Sequence, residues 1–510
     1  MMYRPAEKYY LGIDIGTSSV KALLVDTKGR AASGAQEEYE IRRPKAMYAE
    51  QDMDEIWAAV RKTIRAVMAK RPELAGSIGG VSYSGQMHGL VMTDRDGNLI
   101  RDAIIWCDQR SASQIQSIYE SIGRERIRAV VRNELSTGFL ISSLLWVREN
   151  EPENYEKIHK VMLPKDYIRF KMCGEIGTDY SDASATAIYD TGKNEWSWEL
   201  IGELKLEKSF FPACHGSSEI AGVITEECAE KTGLKKGTPV TYGGGDSIMQ
   251  QAGNGVFDER SPWIANIGTG CSLNCVSGSA LCDSQYRINI FSHLVPDRWM
   301  LMGAALSGGV ILKWLKNQIF GYGNYDSMTA EAASVPAGSE GLFLLPYLDG
   351  VRCPVNDSQA SGIWAGLTLK HTRAHMIRSA MEGIVYSMKV PFQIFEELGL
   401  RTERVIASGG GARGELFLQI EADMFDREIR KTAENEQSCL GAAITAAVGT
   451  GCYGSFEEAC RRMVRYEDSV TVPRKENVKI YEEGYQRYLE LYPNNREWFH
   501  KDAGRVSRRS

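Results

Sequence analysis

The chain opens on two apolar stretches around a polar turn. Tyr9-Tyr10-Leu11-Gly12-Ile13-Asp14 is followed by Gly16-Thr17-Ser18-Ser19 and then by Val20-Lys21-Ala22-Leu23-Leu24-Val25-Asp26. Apolar runs of this length bounded by turn residues predict two β-strands in a hairpin. Lys28-Gly29 adds another turn, so an antiparallel meander is expected to begin the fold. From Asp52 to Lys70 the period changes. Met53, Ile56, Trp57, Val60, Ile64 and Val67 recur at helical spacing, and Asp52 with Glu55 predicts a capping box. Ile78 to Ser82 then reads as a short buried strand running into the loop at Gly85.

The opening pattern returns half the chain later. Ser261 to Ile267 predicts a strand, Gly268-Thr269-Gly270 a turn, and Cys271 to Val276 the returning strand. A repeated strand, Gly-Thr turn and strand predicts two related α/β domains facing each other. The expected boundaries are 1–255 and 256–495, with a tail at 496–510. Further on, Val405 to Ala407 reads as a strand, followed by Ser408-Gly409-Gly410-Gly411-Ala412 and a helix from Glu415 to Phe425. Ile480, Tyr481, Tyr485, Tyr488 and Tyr492 mark a final amphipathic helix that is expected to stop before Pro493 and to bury its tyrosine stripe.

Composition narrows the class. With 510 residues, 43% hydrophobic and 25% charged, the chain has the make-up of a soluble globular protein of two or three domains. The formal charge of −6 and the absence of a Lys/Arg block before the final residues exclude nucleic acid and anionic membrane as main partners. Eleven cysteines form no regular framework and no Cys-x-x-Cys pair, so a reduced, cytoplasmic setting without structural zinc is expected. Met1 to Tyr10 has charges and no apolar signal core, and no run approaches a membrane span.

Four clusters carry candidate chemistry. Asp14-x-Gly16-Thr17-Ser18-Ser19-x-Lys21 gathers a carboxylate, hydroxyls, free backbone N–H groups and an ammonium in one hairpin. Phosphate oxygens need such donors, and Mg²⁺ needs such a carboxylate; the competing reading is a plain hairpin. Ser84-Gly85-Gln86-Met87-His88-Gly89 follows a buried strand, where α/β proteins place ligands, although a satisfied structural histidine reads equally there. Gly243-Gly244-Gly245-Asp246 thrusts a carboxylate from a strand end, suited to a general base or to capping the helix after it. Gly409-x-Gly411-x-x-Gly414, with Glu434 beyond, has the spacing of a dinucleotide fingerprint but lacks the usual βαβ context. It serves equally as a loop against which a nucleotide lies. No Gly-Lys-Ser/Thr run exists, so ATP use here needs no P-loop. His371 and His375 lie one helical turn apart on a face expected to be solvated.

Taken in order, Asp14-x-Gly16-Thr17, Gln86-Met87-His88-Gly89, Gly243-Gly244-Gly245-Asp246, Ile267-Gly268-Thr269-Gly270 and Gly409-Gly410-Gly411-Ala412 resemble the FGGY family of carbohydrate kinases. Gly362-Ile363-Trp364-Ala365-Gly366-Leu367 followed by His375-Met376-x-x-Ser379-Ala380-Met381-Glu382 is similar to that family's C-terminal signature. The resemblance implies two ribonuclease-H-like domains of the actin/hexokinase type, with sugar and ATP in the cleft between them. It implies Asp246 as catalytic base, and Asp14 with Asp246 governing Mg²⁺ directly or through water. Gln86, Met87, His88, Trp106, Asp108 and Ser247 are the implied sugar contacts. Gly16, Thr17, Ser18, Lys21, Gly268, Thr269, Gly308, Gly410, Gly411 and Ala412 are the implied nucleotide contacts. The implied reaction phosphorylates a ketopentose, D-xylulose first, and such kinases are often homodimers.

Where relatives usually read Asn, this chain has Cys107 and Ser247, both beside expected sugar contacts. Ser143 stands where Lys is usual, and Gly350-Val351-Arg352-Cys353-Pro354 departs from Gly-Glu-Arg-Thr-Pro. Kinases for another sugar, a polyol or a sugar acid therefore form the second reading. A non-catalytic actin-like sugar sensor and a nicotinamide oxidoreductase are the readings from other classes.

Overall fold

The computed structural model describes residues 8–506. Its first half is built on one mixed sheet. Strands β1 (Tyr9–Ile15), β2 (Ser19–Asp26) and β3 (Ala31–Glu38) form the antiparallel meander, with Tyr9 opposite Asp26 and Ile15 opposite Val20. Helix α1 (Met53–Lys70) then crosses over and delivers β4 (Ile78–Gly85) parallel to β1. After helix α2 (Pro164–Cys173), β5 (Ile220–Val223), β6 (Pro239–Thr241) and the short β7 (Gly244–Gly245) complete the sheet. The spatial order is β5-β6-β4-β1-β2-β3, with β7 also paired to β4. Helix α3 (Asp246–Gly253) starts directly from β7.

The second half repeats this plan. β8 (Trp263–Ile267), β9 (Cys271–Ser277), β10 (Asn289–Ser292) and β11 (Trp299–Ala305) make the antiparallel part. Helices α4 (Gly309–Trp314) and α5 (Arg373–Glu397) precede β12 (Arg404–Gly409), and α6 (Glu415–Phe425) leads to β13 (Glu428–Lys431). The order is β10-β11-β9-β8-β12-β13, with β12 and β13 parallel to β8. In both sheets the first strand lies between its antiparallel hairpin partner and a parallel strand, as in the ribonuclease-H-like domains that the family resemblance implied.

Two helices join the halves. α7 (Gln437–Gly449) follows the second sheet in sequence yet packs on β1 and β4 of the first. A Cβ at Gly12 would lie 1.8 Å from the Cys439 carbonyl oxygen. Gly253 and Gly441 let α3 and α7 cross in backbone contact, since a Cβ at either would lie within 2 Å of the other helix. Tyr10, Met249, Leu440 and Ala443 belong to the apolar layer between the halves. Residues 90–211 contribute a further, separately packed core of Leu90, Phe139, Leu144, Trp196 and neighbours. It forms a subdomain that the strand pattern alone did not announce.

Several local expectations change. Asp52 caps α1 by accepting from the Asp54 and Glu55 amides, but the Glu55 side chain pairs with Arg42 instead of returning a bond, so the capping box is half formed. The final helix α8 (Lys475–Val506) runs through Pro493. Tyr481, Tyr485 and Tyr488 are buried before the proline and Phe499 after it, while Ile480 is exposed. Tyr492 and His500 both bond Asp357, so packing on either side carries the helix across one missing N–H. Among the described residues no helix is long and apolar enough to cross a membrane.

Candidate active site

The first Gly-Thr turn projects from the edge where β1, β4 and β7 end. Gly16 N–H closes it on the Ser19 carbonyl (3.0 Å), and Trp106 Nε1 donates to Thr17 Oγ1 (2.9 Å). Ser18 is exposed at its tip. Gln86 Nε2 donates to Gln51 Oε1, and Gln51 Nε2 to the Thr17 carbonyl, each at 2.6 Å, so Gln86 braces the turn from within the core. Lys21 is paired with Glu436 at 2.7 Å, next to the start of α7. The ammonium therefore ties the two halves together as well as facing the turn.

The second Gly-Thr turn lies on the opposite half. Gly268 and Thr269 are exposed, and their carbonyls accept from Gly309 (2.8 Å), Gly308 (2.9 Å) and Val310 (3.1 Å). Gly308 is buried behind this turn, where a Cβ would sit 2.3 Å from the Gly270 carbonyl oxygen. Gly268, Thr269, Gly410 and Gly411 line a cavity of about 640 Å³, together with Lys313 and Asn324. That volume suits a nucleotide-sized ligand. Ala412 packs against the apolar core and does not line the cavity. Lys313, Asn324 and Asp326 enter it from α4 and the helix at 325–333, contributions no motif signalled.

Two carboxylates, Asp14 beside the first turn and Asp246, stand close enough for the charge of one to act on the other. Asp14 Oδ1 accepts from Ser84 Oγ (2.6 Å) at the end of β1. Asp246, the first residue of α3, accepts from its neighbour Ser247 through N–H (2.6 Å) and Oγ (3.2 Å). Each keeps some exposure while lying deep in the cleft. Burial raises both, and the negative charge of Asp14 adds to the rise on Asp246, which is pushed up to about 7. Asp246 is thus poised for proton exchange near neutral pH.

Met87 packs beneath the turn that carries Asp246: a Cβ on Gly245 would lie 2.8 Å from its Cγ. His88 stands in the left-handed region (φ 76°) and stacks on Phe139 at 4.0 Å. Its Nδ1 donates to the Ala185 carbonyl at 2.7 Å, which leaves Nε2 as an acceptor. Burial drives its pKa down to about 3, so the ring is neutral. Asp108 takes a different part from the one its motif implied. Its carboxylate is fully buried, bonded to the Ala49 amide (2.7 Å) and to Arg110 (2.7 Å), and presents no free oxygen to the cleft.

Arg352 is the cleft residue to which the sequence motifs assigned no role. Its guanidinium lies 5.8 Å from the Trp106 ring centre and acts electrostatically on His88 and Cys107. No carboxylate pairs with it among the described residues. Desolvation lowers its pKa from the usual arginine value. The signal was present in Gly350-Val351-Arg352-Cys353-Pro354, but its place opposite His88 depends on the second half closing over the first.

Two ribonuclease-H-like halves, each with a Gly-Thr turn, and a carboxyl at Asp246 of near-neutral pKa have the make-up of an actin-type phosphotransferase. The N-terminal domain of the FGGY family of carbohydrate kinases matches residues 9–253, and its C-terminal domain matches residues 264–450. The chain belongs to this family and is a sugar kinase, with ATP as the donor the family uses. It is 33% identical to the xylulose kinase of Bacillus subtilis (strain 168), over 96% of this chain and 98% of that one. It is 31% identical to the L-xylulose/3-keto-L-gulonate kinase of Escherichia coli (strain K12), over 95% and 96% respectively. A xyloylose kinase from Brucella ovis superposes with a TM-score of 0.90 at 30% identity, covering 96% of this chain and all of that one. The dinucleotide-like glycine loop therefore serves a kinase fold and not an oxidoreductase.

Proposed function

We propose that this kinase converts D-xylulose and ATP to D-xylulose 5-phosphate and ADP, with Asp246 as general base. The observation that carries the reading is the position of Asp246: at the start of α3, directly after the Gly245 that packs on Met87 and near enough to Asp14 to feel its charge, with its pKa near 7. Near-full-length identity to curated xylulose kinases supports the choice of sugar.

The 5-hydroxyl gives its proton to Asp246 as the oxygen attacks the γ-phosphorus, and the β–γ bridging oxygen leaves with the ADP. Backbone N–H groups of the two Gly-Thr turns orient the phosphates, and the neutral His88 Nε2 accepts from a sugar hydroxyl. Little covalent chemistry is asked of the protein beyond positioning and one base. Two buried carboxylates whose pKa values are both raised fit a shared cation, and Mg²⁺ is commonly held by one or two carboxylates plus phosphate oxygens. Asp14 and Asp246 would hold it, directly or through water. When bound it neutralises charge on the transferring phosphoryl group.

A second reading has its own observation. The unpaired Arg352 beside Cys107 is suited to the carboxylate of a sugar acid. ADP release should be measured with D-xylulose, L-xylulose, D-ribulose, glycerol, D-gluconate and 3-keto-L-gulonate. D-xylulose is expected to give the highest kcat/KM. A ten-fold preference for another member of the panel overturns the choice of sugar, and a sugar acid in first place favours the second reading.

A further inference from the structure

Behind the cleft, Lys165 of α2 is fully buried with three carboxylates around its ammonium: Asp166 at 2.7 Å, Asp179 at 2.9 Å and Asp182 at 3.1 Å. Arg169, also fully buried, approaches Asp166 at 3.5 Å. Five ionisable groups without solvent are costly unless they hold one another in a fixed geometry. Burial raises the pKa of Asp182 well above its ordinary value against the lowering pull of Lys165, and the neighbouring Asp179 and Asp166 add to the rise.

The cluster is bonded to the catalytic turns and not merely near them. Asp179 Oδ2 accepts from Ser181 Oγ at 2.5 Å, and Ser181 Oγ accepts from the Gly245 amide at 3.1 Å. Gly245 immediately precedes Asp246. On its other side the Lys165 stem lies against the end of β4, where a Cβ at Gly85 would sit 2.7 Å from Lys165 Cβ. The neighbouring Ser84 is the residue that bonds Asp14. One buried ion cluster thus bonds to the turn that carries Asp246 and packs against the strand end whose Ser84 bonds Asp14.

We infer that the Lys165 cluster is the frame that positions Asp246, acting through the line Lys165, Asp179, Ser181, Gly245 N–H. These are positioning residues and touch no substrate. The inference rests on Asp246 being the base. A base displaced by a fraction of an ångström from the attacking hydroxyl loses rate without losing substrate. Ser217 gives an internal control: its Oγ bonds the same Asp179 oxygen at 2.9 Å, while its own bond to the turn, from the Gly243 amide to its carbonyl at 3.0 Å, is backbone and survives loss of the hydroxyl.

The test compares Ser181→Ala with Ser217→Ala, each of which deletes one hydroxyl from the same carboxylate. With the sugar and ATP that give best turnover, S181A is expected to lose kcat about 10- to 100-fold with both KM values within about three-fold. S217A should stay within about three-fold of wild type throughout. In an Asp246→Asn background, S181A should cost no further activity, since there is no longer a base to position. Equal losses in S181A and S217A, an undiminished kcat in S181A, or a further loss on top of D246N would each overturn the frame. Failure of the underlying reading shows separately, as D246N alone retaining activity.

Discussion

Asp246 and His88 respond to the same burial in opposite directions, because desolvation penalises whichever form is charged. The carboxylate rises to about 7 and the imidazole falls to about 3. Asp246→Asn is expected to lower kcat by about 10²–10⁴, the usual worth of a general base, while the melting temperature stays within a few degrees. Activity near wild type in that variant would remove Asp246 from the role. The base must be deprotonated, so activity falls on the acid side, and kcat/KM should show an acid limb with its midpoint at or below about pH 7. His293 is the second buried neutral histidine, with a pKa lowered to about 3 by burial and by Arg298. Its folded value lies below the unfolded one, near 6.5. The stability linked to it is therefore complete above pH 6.5 and lost as pH falls towards 3, at up to ~1.4 kcal/mol per pH unit. His293→Gln should flatten the decline of melting temperature between pH 6.5 and 5; parallel curves for the two proteins would refute this.

At the scale of elements, the Gly-Thr turns work because neighbouring backbone packs against them more closely than any side chain permits. Gly308→Ala must push the Gly268–Gly270 turn away from its place, since the added carbon meets a carbonyl oxygen that cannot swing aside. The expected result is a rise of about ten-fold or more in KM for ATP, with the sugar KM little changed; ten-fold corresponds to about 1.4 kcal/mol. Equal effects on both substrates would mean that the turn does not serve the nucleotide. Helix α8 teaches a related lesson about punctuation. Pro493 breaks the local hydrogen-bond ladder, yet Phe499 and the bonds to Asp357 keep the helix going. A proline is a strong stop signal only where nothing beyond it is packed.

Across the whole molecule, α3 and α7 cross at glycines between the halves, and a second seam bonds Asn133 to the Ile290 backbone and Trp299 Nε1 to the Thr191 carbonyl. Closure on sugar plus nucleotide would exclude water from the phosphoryl group. The radius of gyration measured by scattering should fall when both ligands are present and fall less with either alone. Identical profiles in all states would argue that the cleft is rigid. The Lys21–Glu436 pair spans the halves beside the first turn. Its rearrangement on closure is an expected companion of that change.

Much of this protein was legible in the chain because its chemistry is written in local backbone requirements. Asp14-x-Gly16-Thr17, the Gly243–Gly245 run before Asp246 and Gly268-Thr269 are short turns, each setting its own geometry. Their repetition half a chain apart disclosed two sheets of one plan. What remained hidden depends on contacts between distant segments. The burial that lifts Asp246 towards neutrality and the placing of Arg352 over Trp106 have no local signature. The Lys165 cluster lies within residues 165–182, so its members were near one another in the chain, but their complete burial together was decided by the fold. The sequence by itself determined the turns and the duplicated strand–turn–strand units, since these follow from backbone sterics and strand periodicity, while the class of reaction was implied by the family resemblance of its motifs. Only the tertiary structure decided which carboxylates are free, which are locked in pairs and how each is charged, because desolvation and Coulomb energy are properties of the packed interior.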